Sequence, residues 1–217
     1  MEEQVWPEAS DVEYITSAQA GGWGDMLLAF VQFLNLPPGG RVLDAGSGPA
    51  LLPRLMVAAG ARLAVACDDS WPMVLRAREL SAATPGVVQV TGSALTSPFT
   101  GGAFDAVLAT NLLFLLPDAG LGLEELVRSA TPGGTVGFAN PTATLDRHSA
   151  SAFADERGLR GFGRTSWINY GRLAEGGQRL TAPEWLELAR GGGLVDLRSQ
   201  TRAGGHVAFV AGRKPRA

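Results

Sequence analysis

The sequence predicts an α/β fold: a doubly wound, mostly parallel sheet of seven strands with a reversed strand in a C-terminal hairpin. Short apolar segments alternate with segments of helical periodicity over residues 41–139, which is typical of parallel strands joined by crossover helices. These strand segments are apolar throughout, as expected when helices cover both faces of a sheet. Two further segments, 194–201 and 206–212, are separated by a tight turn, so they must pair antiparallel.

The first half of the chain alternates helix and strand after an irregular or partly helical lead-in over residues 1–23. Apolar residues recur at helical spacing until Pro37 stops the first helix. Gly60 ends the second helix, and Pro72 is tolerated in the first turn of the third. The predicted elements are helix 25–36, strand 41–45, helix 51–59, strand 63–67, helix 70–83 and strand 87–90.

The second half continues this alternation and then changes character. The turn Thr131-Pro132-Gly133-Gly134 ends one helix, and the pair Thr181 and Glu184 has the spacing of a capping box at the start of another. Residues 141–177 are rich in Arg, Gly and aromatic residues, and they contain no clean strand. The predicted elements are strand 104–110, helix 121–129, strand 135–139, helix 181–189 and strands 194–201 and 206–212.

The length and composition indicate a single domain over residues 1–217. Residues 1–24 are predicted to form an N-terminal lid, and residues 142–178 a partly helical insertion over the ligand site. The first ten residues lack an apolar signal core, and no apolar run is long enough to span a bilayer. We therefore expect a cytoplasmic protein, either monomer or homodimer, with no membrane partner.

The charged and sulfur-containing residues exclude several classes of chemistry. Lys214 is the only lysine, which excludes a phosphate-binding loop lysine and an internal Schiff base. Cys67 is the only cysteine, which excludes a disulfide within the chain and a cysteine-rich zinc site, so we expect no metal. The net charge is −3 and no basic stripe is present, which argues against a nucleic-acid partner.

The glycine turn after the first strand predicts a ligand site. In open α/β sheets ligands bind at the carboxyl ends of the strands, and glycine lets a ligand approach the backbone closely. Asp44 precedes the turn and would repel a pyrophosphate, and Leu51 stands where a dinucleotide-binding loop has its third glycine. Asp68 ends the second strand, where an acid can accept hydrogen bonds from ribose hydroxyls. A positively charged ligand that carries an adenosine fits these features.

The neighbours of Asp68 leave two alternatives open. Asp69 can accept hydrogen bonds from the ribose or can cap the helix that follows, and Ser70 can be that cap as well.

Four segments then resemble the motifs of the class I S-adenosylmethionine-dependent methyltransferases, specifically those that act on small molecules. The run VLDAGSGPA (42–50) resembles their first motif and VACDDSWPMVLRAR (65–78) their second. FDAVLATNLLFLLPD (104–118) resembles the fourth-strand motif, and RSATPGGTVGFANP (128–141) the turn into strand five. The resemblance covers about 25–141 in the expected order and spacing, and it implies a Rossmann-like fold.

The resemblance also implies a role for each matching residue. Gly46, Ser47 and Gly48 would lie under the methionine part of S-adenosylmethionine, with Asp44 near its amino group. The other residues implied to contact or enclose the cofactor are Tyr14 in the lid, Asp68, Asp69 and Met73 at the ribose and adenine, Ser93, Ala94 and Leu95 after the third strand, and Asn111 and Leu112 after the fourth. The product would be S-adenosylhomocysteine.

Two positions depart from the family pattern. Ser93 stands where the family has an aspartate that binds the adenine amino group, so the backbone at Ala94 is an alternative partner. Ala50 replaces the last glycine of the first motif. Both changes weaken the expected cofactor contacts without excluding them.

The substrate side is expected to involve the segment after the fifth strand. His148 lies just beyond that strand and is a candidate general base, and Tyr170 is a second catalytic candidate. Asn111 is expected to reach towards the substrate. The expected activity is transfer of a methyl group to a metabolite or natural-product precursor by O-, N- or C-methylation.

Two other functions remain as alternatives at this point. A nicotinamide-dependent oxidoreductase would require a complete G-x-G-x-x-G and a catalytic tyrosine–lysine pair, which the sequence does not provide. A non-catalytic S-adenosylmethionine-binding protein or regulatory subunit of the same fold is the second alternative, since fold alone does not guarantee activity.

Overall fold

The computed structural model describes residues 9–216, so the predictions for residues 1–8 lie outside the described residues. The chain divides into two compact units, Met1–Pro98 and Phe99–Ala217. Seven strands form a mixed sheet, as the sequence predicts.

The first unit contains three parallel strands in the order β3-β2-β1. All of Val42–Ala45 in β1 and of residues 64–67 in β2 is buried, whereas β3, at the edge of the sheet, has no buried residue, so the predicted burial of every strand is wrong for β3. Its elements are α1 (Ala9–Ala20), α2 (Gly22–Leu34), β1 (Arg41–Ala45), α3 (Leu51–Ala58), β2 (Leu63–Asp68), α4 (Trp71–Ser81) and β3 (Val87–Thr91).

The second unit contains four strands in the order β4-β5-β7-β6. Strand β4 is parallel to β5, while β7 runs antiparallel to both β5 and β6. The reversed strand is therefore β7, one position from the edge. The elements are β4 (Phe104–Thr110), a 3₁₀ turn (Leu113–Leu115), α5 (Ala119–Ser129), β5 (Ala130–Pro141), α6 (Arg147–Glu156), α7 (Gly161–Gly176), α8 (Ala182–Gly191), β6 (Val195–Arg202) and β7 (Val207–Arg213).

Three details differ from the sequence prediction. The lead-in forms the regular helix α1 from residue 9 onward, and the segment 141–177 carries two helices, α6 and α7. Strand β5 starts at Ala130, because the predicted turn residues continue the sheet: the Gly133 N–H donates to the Lys214 carbonyl, 2.9 Å away. On the side of β4 the register shifts between Phe104 and Ala106, and regular pairing resumes at Thr135.

Helix α8 is fixed to the sheet of the second unit by a buried tryptophan. The Trp185 indole N–H donates to the Pro141 carbonyl at 2.9 Å, and its ring meets the edge of Phe138. The predicted capping box is present, with the Thr181 hydroxyl accepting from the Glu184 N–H and the Glu184 carboxylate accepting from the Thr181 N–H.

Candidate active site

The glycine loop between β1 and α3 folds back onto β2. The N–H groups of Gly46 and Ser47 both donate to the Cys67 carbonyl, at 2.8 and 3.1 Å. Gly46 and Gly48 have positive φ values of 68° and 52°, which glycine adopts without a steric penalty. A phosphate-binding loop needs N–H groups that point at the ligand. Those of Gly46 and Ser47 are used within the protein, so this loop is not built as a phosphate cradle.

Asp68 ties the glycine loop to the start of α4. Its Oδ2 accepts a 2.8 Å hydrogen bond from the Gly48 N–H, and its Oδ1 accepts one of 3.0 Å from the Ser70 N–H. The Ser70 hydroxyl accepts from the Met73 N–H, so Ser70 caps α4 and Asp69 does not. Burial raises the pKa of the Asp68 carboxyl, while the two backbone hydrogen bonds lower it. Both carboxylate oxygens are thus held in place with further lone pairs to offer.

Asp44 is a buried carboxylate at the end of β1. It is 1% exposed, and its Oδ1 has no hydrogen-bond partner within the described range 9–216. Burial raises the pKa of this carboxyl well above its ordinary value, and the nearby Asp68 charge adds to the effect. A buried acceptor without a donor is costly in a folded protein. A positively charged N–H donor is the chemical group that would compensate it.

Helix α1 contacts the same loop through a residue that the sequence analysis did not single out. The Gln19 Oε1 accepts from the Leu51 N–H at 3.3 Å, which satisfies one of the free donors at the start of α3. A Cβ placed on Gly48 would lie 3.8 Å from both the Gln19 Nε2 and the Ile15 Cγ2. No local pattern predicts this contact, because Gln19 and Leu51 are 32 positions apart.

The loop after β3 is also held against β2. The Gly92 N–H donates to the Asp68 carbonyl, and a Cβ on Gly92 would lie 2.7 Å from Pro98. The Ser93 hydroxyl accepts from the Leu95 N–H at 3.1 Å, so it is engaged by its own loop. Ala94 lies between these two residues and is half-buried.

The remaining predicted cofactor residues of the first unit differ in exposure. Met73 is buried in the first turn of α4, Asp69 is exposed, and Tyr14 is half-buried on α1. Their predicted contacts with the cofactor stay predictions.

In the second unit, Asn111 and Tyr170 are joined by a hydrogen bond. Asn111 follows β4 with a left-handed backbone (φ 54°), and its N–H donates to the Ala139 carbonyl at 2.7 Å. The Tyr170 hydroxyl donates to the Asn111 Oδ1 at 2.7 Å. Burial raises the pKa of the Tyr170 hydroxyl well above its ordinary value, so Tyr170 acts as a neutral hydrogen-bond donor. Leu112, the next residue, is half-buried.

The two histidines lie in different surroundings. His148 is exposed in the first turn of α6, and its predicted role as a base stays a prediction. The His206 Nδ1 lies 3.0 Å from the Thr144 hydroxyl, and its ring meets the edge of Phe153. Burial lowers the pKa of His206.

Residues 9–216 show neither a metal-binding cluster nor a membrane-spanning helix. No group of three or more His, Cys, Asp or Glu residues is arranged to hold a metal ion. None of the described helices is both long enough and apolar enough to cross a membrane.

Comparison with known proteins identifies the family. Residues 43–138 match a family described as "Methyltransferase domain". The chain is 32% identical over 190 residues to a demethylmenaquinone methyltransferase of Mycobacterium sp. (strain KMS), covering 84% of this chain and 79% of that protein. The chain belongs to the class I S-adenosylmethionine-dependent methyltransferases.

Two further comparisons concern the sequence and the fold of this methyltransferase. It is 29% identical over 210 residues to a demethylmenaquinone methyltransferase of Desulfitobacterium hafniense (strain Y51), covering 86% of this chain and 78% of the relative. It also resembles in fold a solved phosphoethanolamine N-methyltransferase 2 of Haemonchus contortus, described with phosphomonomethylethanolamine and S-adenosylhomocysteine. That likeness has a TM-score of 0.72 at 14% identity and covers 98% of this chain and 59% of the other.

The residues of this methyltransferase fit S-adenosylmethionine on chemical grounds. The unpaired Asp44 oxygen suits a positively charged amino group, and the Asp68 carboxylate is fixed in place to accept hydroxyl hydrogens. A glycine loop whose first N–H groups are already bonded suits an uncharged part of a ligand better than a phosphate.

Proposed function

We propose that this methyltransferase transfers the methyl group of S-adenosylmethionine to a small-molecule acceptor, a metabolite or natural-product precursor. The observation that supports this proposal most strongly is the buried Asp44, with one oxygen unpaired, beside a loop that offers no phosphate cradle. Relatives that carry the name demethylmenaquinone methyltransferase favour a small organic acceptor. The absence of a basic stripe in the sequence argues against a nucleic-acid acceptor.

Most of the cofactor contacts are proposed from the residues of the first unit, and Asn111 and Leu112 are proposed as cofactor contacts as well. Asp44 would hold the amino group of the methionine part, and Asp68 the ribose hydroxyls. The backbone and side chains of Ser93, Ala94 and Leu95 would meet the adenine. The other proposed contacts are those of Tyr14, Gly46, Ser47, Gly48, Asp69 and Met73.

In the reaction, the protein is proposed to bind and orient the cofactor and the acceptor and to exclude water from them. S-adenosylmethionine, when bound, supplies a methyl group on a positively charged sulfur, so the protein needs no electrophile of its own. Positioning the acceptor is the main contribution, because holding two reactants in line removes much of the entropic barrier. Asn111 and Leu112 are proposed to line the reaction site, and residues 142–178 to cover the acceptor. His148 is the proposed base for acceptors that must lose a proton.

The domain organisation and assembly remain proposals as well. We propose one methyltransferase domain over residues 1–217 that acts in the cytoplasm as a monomer or homodimer, with the region 1–24 as its lid.

A comparison of methyl transfer to small and to large acceptors tests this function. The protein is incubated with S-adenosylmethionine that carries a labelled methyl group, together with either the low-molecular-weight or the macromolecular fraction of a cell extract. We expect S-adenosylhomocysteine release and label transfer with the low-molecular-weight fraction alone. Label that enters only RNA, DNA or protein would contradict the proposal. His148→Ala should leave cofactor affinity unchanged in a parallel titration.

A further inference from the structure

We infer that Tyr170 is a positioning residue: it orients the Asn111 carboxamide so that the amide NH₂ donates a hydrogen bond to an oxygen of the methyl acceptor. This inference rests on the proposed function and specifies its acceptor class. The preferred acceptors would be phenols and enols, which react as oxygen anions, in preference to amines.

The backbone of Asn111 is held in an uncommon conformation. Its φ of 54° lies in the left-handed region, which asparagine tolerates better than most residues. The 2.7 Å bond from its N–H to the Ala139 carbonyl continues the pairing of β4 with β5 beyond Thr110. Strained backbone that the surrounding structure enforces is characteristic of functional sites. The position of Asn111 is therefore set by the sheet and not by a flexible loop.

Tyr170 determines which end of the amide is used inside the protein. The Tyr170 hydroxyl donates to the Asn111 Oδ1 at 2.7 Å, a length typical of O–H···O hydrogen bonds, so Oδ1 lies on the inner side. The tyrosine ring is buried and cannot turn easily, since it packs edge-on against Phe114 and also contacts Trp167. With Oδ1 engaged, the two hydrogens of the Asn111 Nδ2 are what this side chain offers to a ligand.

A second asparagine at the end of the neighbouring strand has the same orientation. Asn140 follows Ala139, the residue paired with Thr110, and its Oδ1 accepts from the Phe114 N–H at 3.4 Å. Its Nδ2 is buried and has no hydrogen-bond partner among residues 9–216. Both amides thus have their oxygens occupied by donors of the protein. The Asn140 amide is enclosed by the protein, whereas Asn111 is half-buried, so Asn111 is the one of the two whose NH₂ can meet a ligand.

The NH₂ donor of Asn111 favours oxygen over nitrogen in the acceptor. A phenolate or enolate oxygen accepts hydrogen bonds, and a charged acceptor strengthens them. An amine that attacks must be neutral, and its lone pair forms the new bond, so that nitrogen cannot also accept a hydrogen bond from Asn111. In the reaction, the acceptor's oxygen or enolate carbon forms a bond to the methyl group while the carbon–sulfur bond breaks. The bonding electrons stay on sulfur, and the acceptor's proton leaves to His148, the proposed base.

Matched acceptors test the inference with the full-length protein. The rate of S-adenosylhomocysteine release is measured for pairs of aromatic acceptors. The two members of a pair have the same ring and carry either a hydroxyl or an amino group. Cyclic enols are measured alongside them. We expect the hydroxyl member of each pair, or the enols, to be methylated at least about 10-fold faster. Methylation of amines alone, or of no phenol or enol while S-adenosylmethionine still binds, overturns the inference. Loss of cofactor binding would instead overturn the proposed function.

Variants separate positioning from packing. Tyr170→Phe removes only the hydroxyl, and Asn111→Asp keeps an acceptor for Tyr170 and the left-handed preference while it removes the NH₂ donor. We expect each to lower kcat/KM for phenols about 10- to 100-fold, the loss of one hydrogen bond to a charged group. Tyr170→Phe should leave cofactor affinity unchanged. The double variant should be no worse than Asn111→Asp alone, because the two residues act as one unit.

Ser166→Ala is the matched control, since it removes a buried hydroxyl from α7 one turn before Tyr170. It should leave the phenol preference intact. Two results would show that Tyr170 acts through packing alone and would overturn the inference. The first is an equal loss of kcat/KM for phenols in Ser166→Ala and Tyr170→Phe. The second is a loss in the double variant that equals the sum of the two single losses in free energy.

Discussion

At the scale of single residues, Asp44 combines a cost to stability with a benefit to binding. Its carboxyl is buried, its Oδ1 lacks a partner within the described chain, and Asp68 adds a second negative charge nearby. An unpaired buried charge destabilises a fold, and such groups persist where a ligand uses them. Asp44 is therefore expected to oppose folding at neutral pH and to favour a positively charged ligand.

Asp44→Asn should therefore stabilise the cofactor-free protein. The amide has nearly the same shape but no charge to bury, so we expect the free energy of unfolding to rise by on the order of 1 kcal/mol at pH 7. Chemical denaturation of both proteins without cofactor measures the difference. The exposed Asp25→Asn on α2 is the control and should change little. A less stable Asp44→Asn would mean that the carboxylate has a structural partner.

The same residue predicts a pH dependence of cofactor affinity. The raised pKa of Asp44 means that the carboxyl binds a proton more readily in the folded, cofactor-free state than in an unfolded chain. Its contribution to stability is present below the ordinary pKa and is lost as pH rises through the raised pKa. A positively charged ligand needs the ionised form, so affinity should fall as pH drops through the raised pKa. Titrations at several pH values should show this fall in the wild type and its loss in Asp44→Asn.

The sequence predicted where these residues lie in the fold, but not which groups they contact. Asp44 and Asp68 could be placed at the ends of the first two strands because strand ends and glycine turns have local sequence patterns. The unpaired oxygen of Asp44 and the contact of Gln19 with Leu51 depend on packing between distant segments, which no local pattern encodes. Ala50 was recognised as a departure. The structure adds that Ala50 adopts a left-handed φ of 60° while its methyl packs in the core with Ala66 and Ala77.

At the scale of elements, α6 and α7 depend on a close approach at Gly171. A Cβ there would lie 2.4 Å from the Asp146 carbonyl oxygen and 2.8 Å from the Ala150 Cβ. Asp146 also caps α6, where its side chain accepts from the Ser149 N–H. The start of α6 and the middle of α7 therefore meet backbone to backbone, which leaves no room for a side chain.

Gly171→Ala should destabilise the protein by about 1–3 kcal/mol, because the added methyl forces the two helices apart. Gly163→Ala in the same helix is the matched control. A Cβ at Gly163 meets nothing within 4 Å, and alanine favours the helix by up to about 1 kcal/mol. Thermal or chemical unfolding of the three proteins measures both effects. Equal stability of the two variants would contradict the close packing at Gly171.

The elements of residues 141–177 show where sequence patterns were insufficient. Their glycines and mixed polarity suggested only partial helix, yet α6 and α7 cover most of the segment. Glycine lowers helix propensity, but at Gly171 it permits the packing that stabilises both helices. The turn Thr131–Gly134 was likewise expected to precede β5, and its backbone pairs with the sheet instead.

At the scale of the whole molecule, the fold class was predictable because several independent signals agree. Continuous apolar strands, helical periodicity between them and a tight C-terminal hairpin all indicate a mixed sheet covered by helices. Family membership then follows from similarity along most of the chain. The chemical identity of the methyl acceptor is less predictable, since it depends on a few side chains in variable segments. The proposed preference for oxygen acceptors rests on the oriented amide of Asn111.

The measurement that tests the account most directly is a calorimetric titration of the full-length protein with S-adenosylmethionine, with NADH as the competing ligand. We predict saturable binding of one S-adenosylmethionine per chain, no binding of NADH, and a loss of affinity of about 10- to 100-fold in Asp44→Asn, the value of one charge-assisted hydrogen bond. Preferential binding of NADH, or full affinity for S-adenosylmethionine in Asp44→Asn, would contradict it.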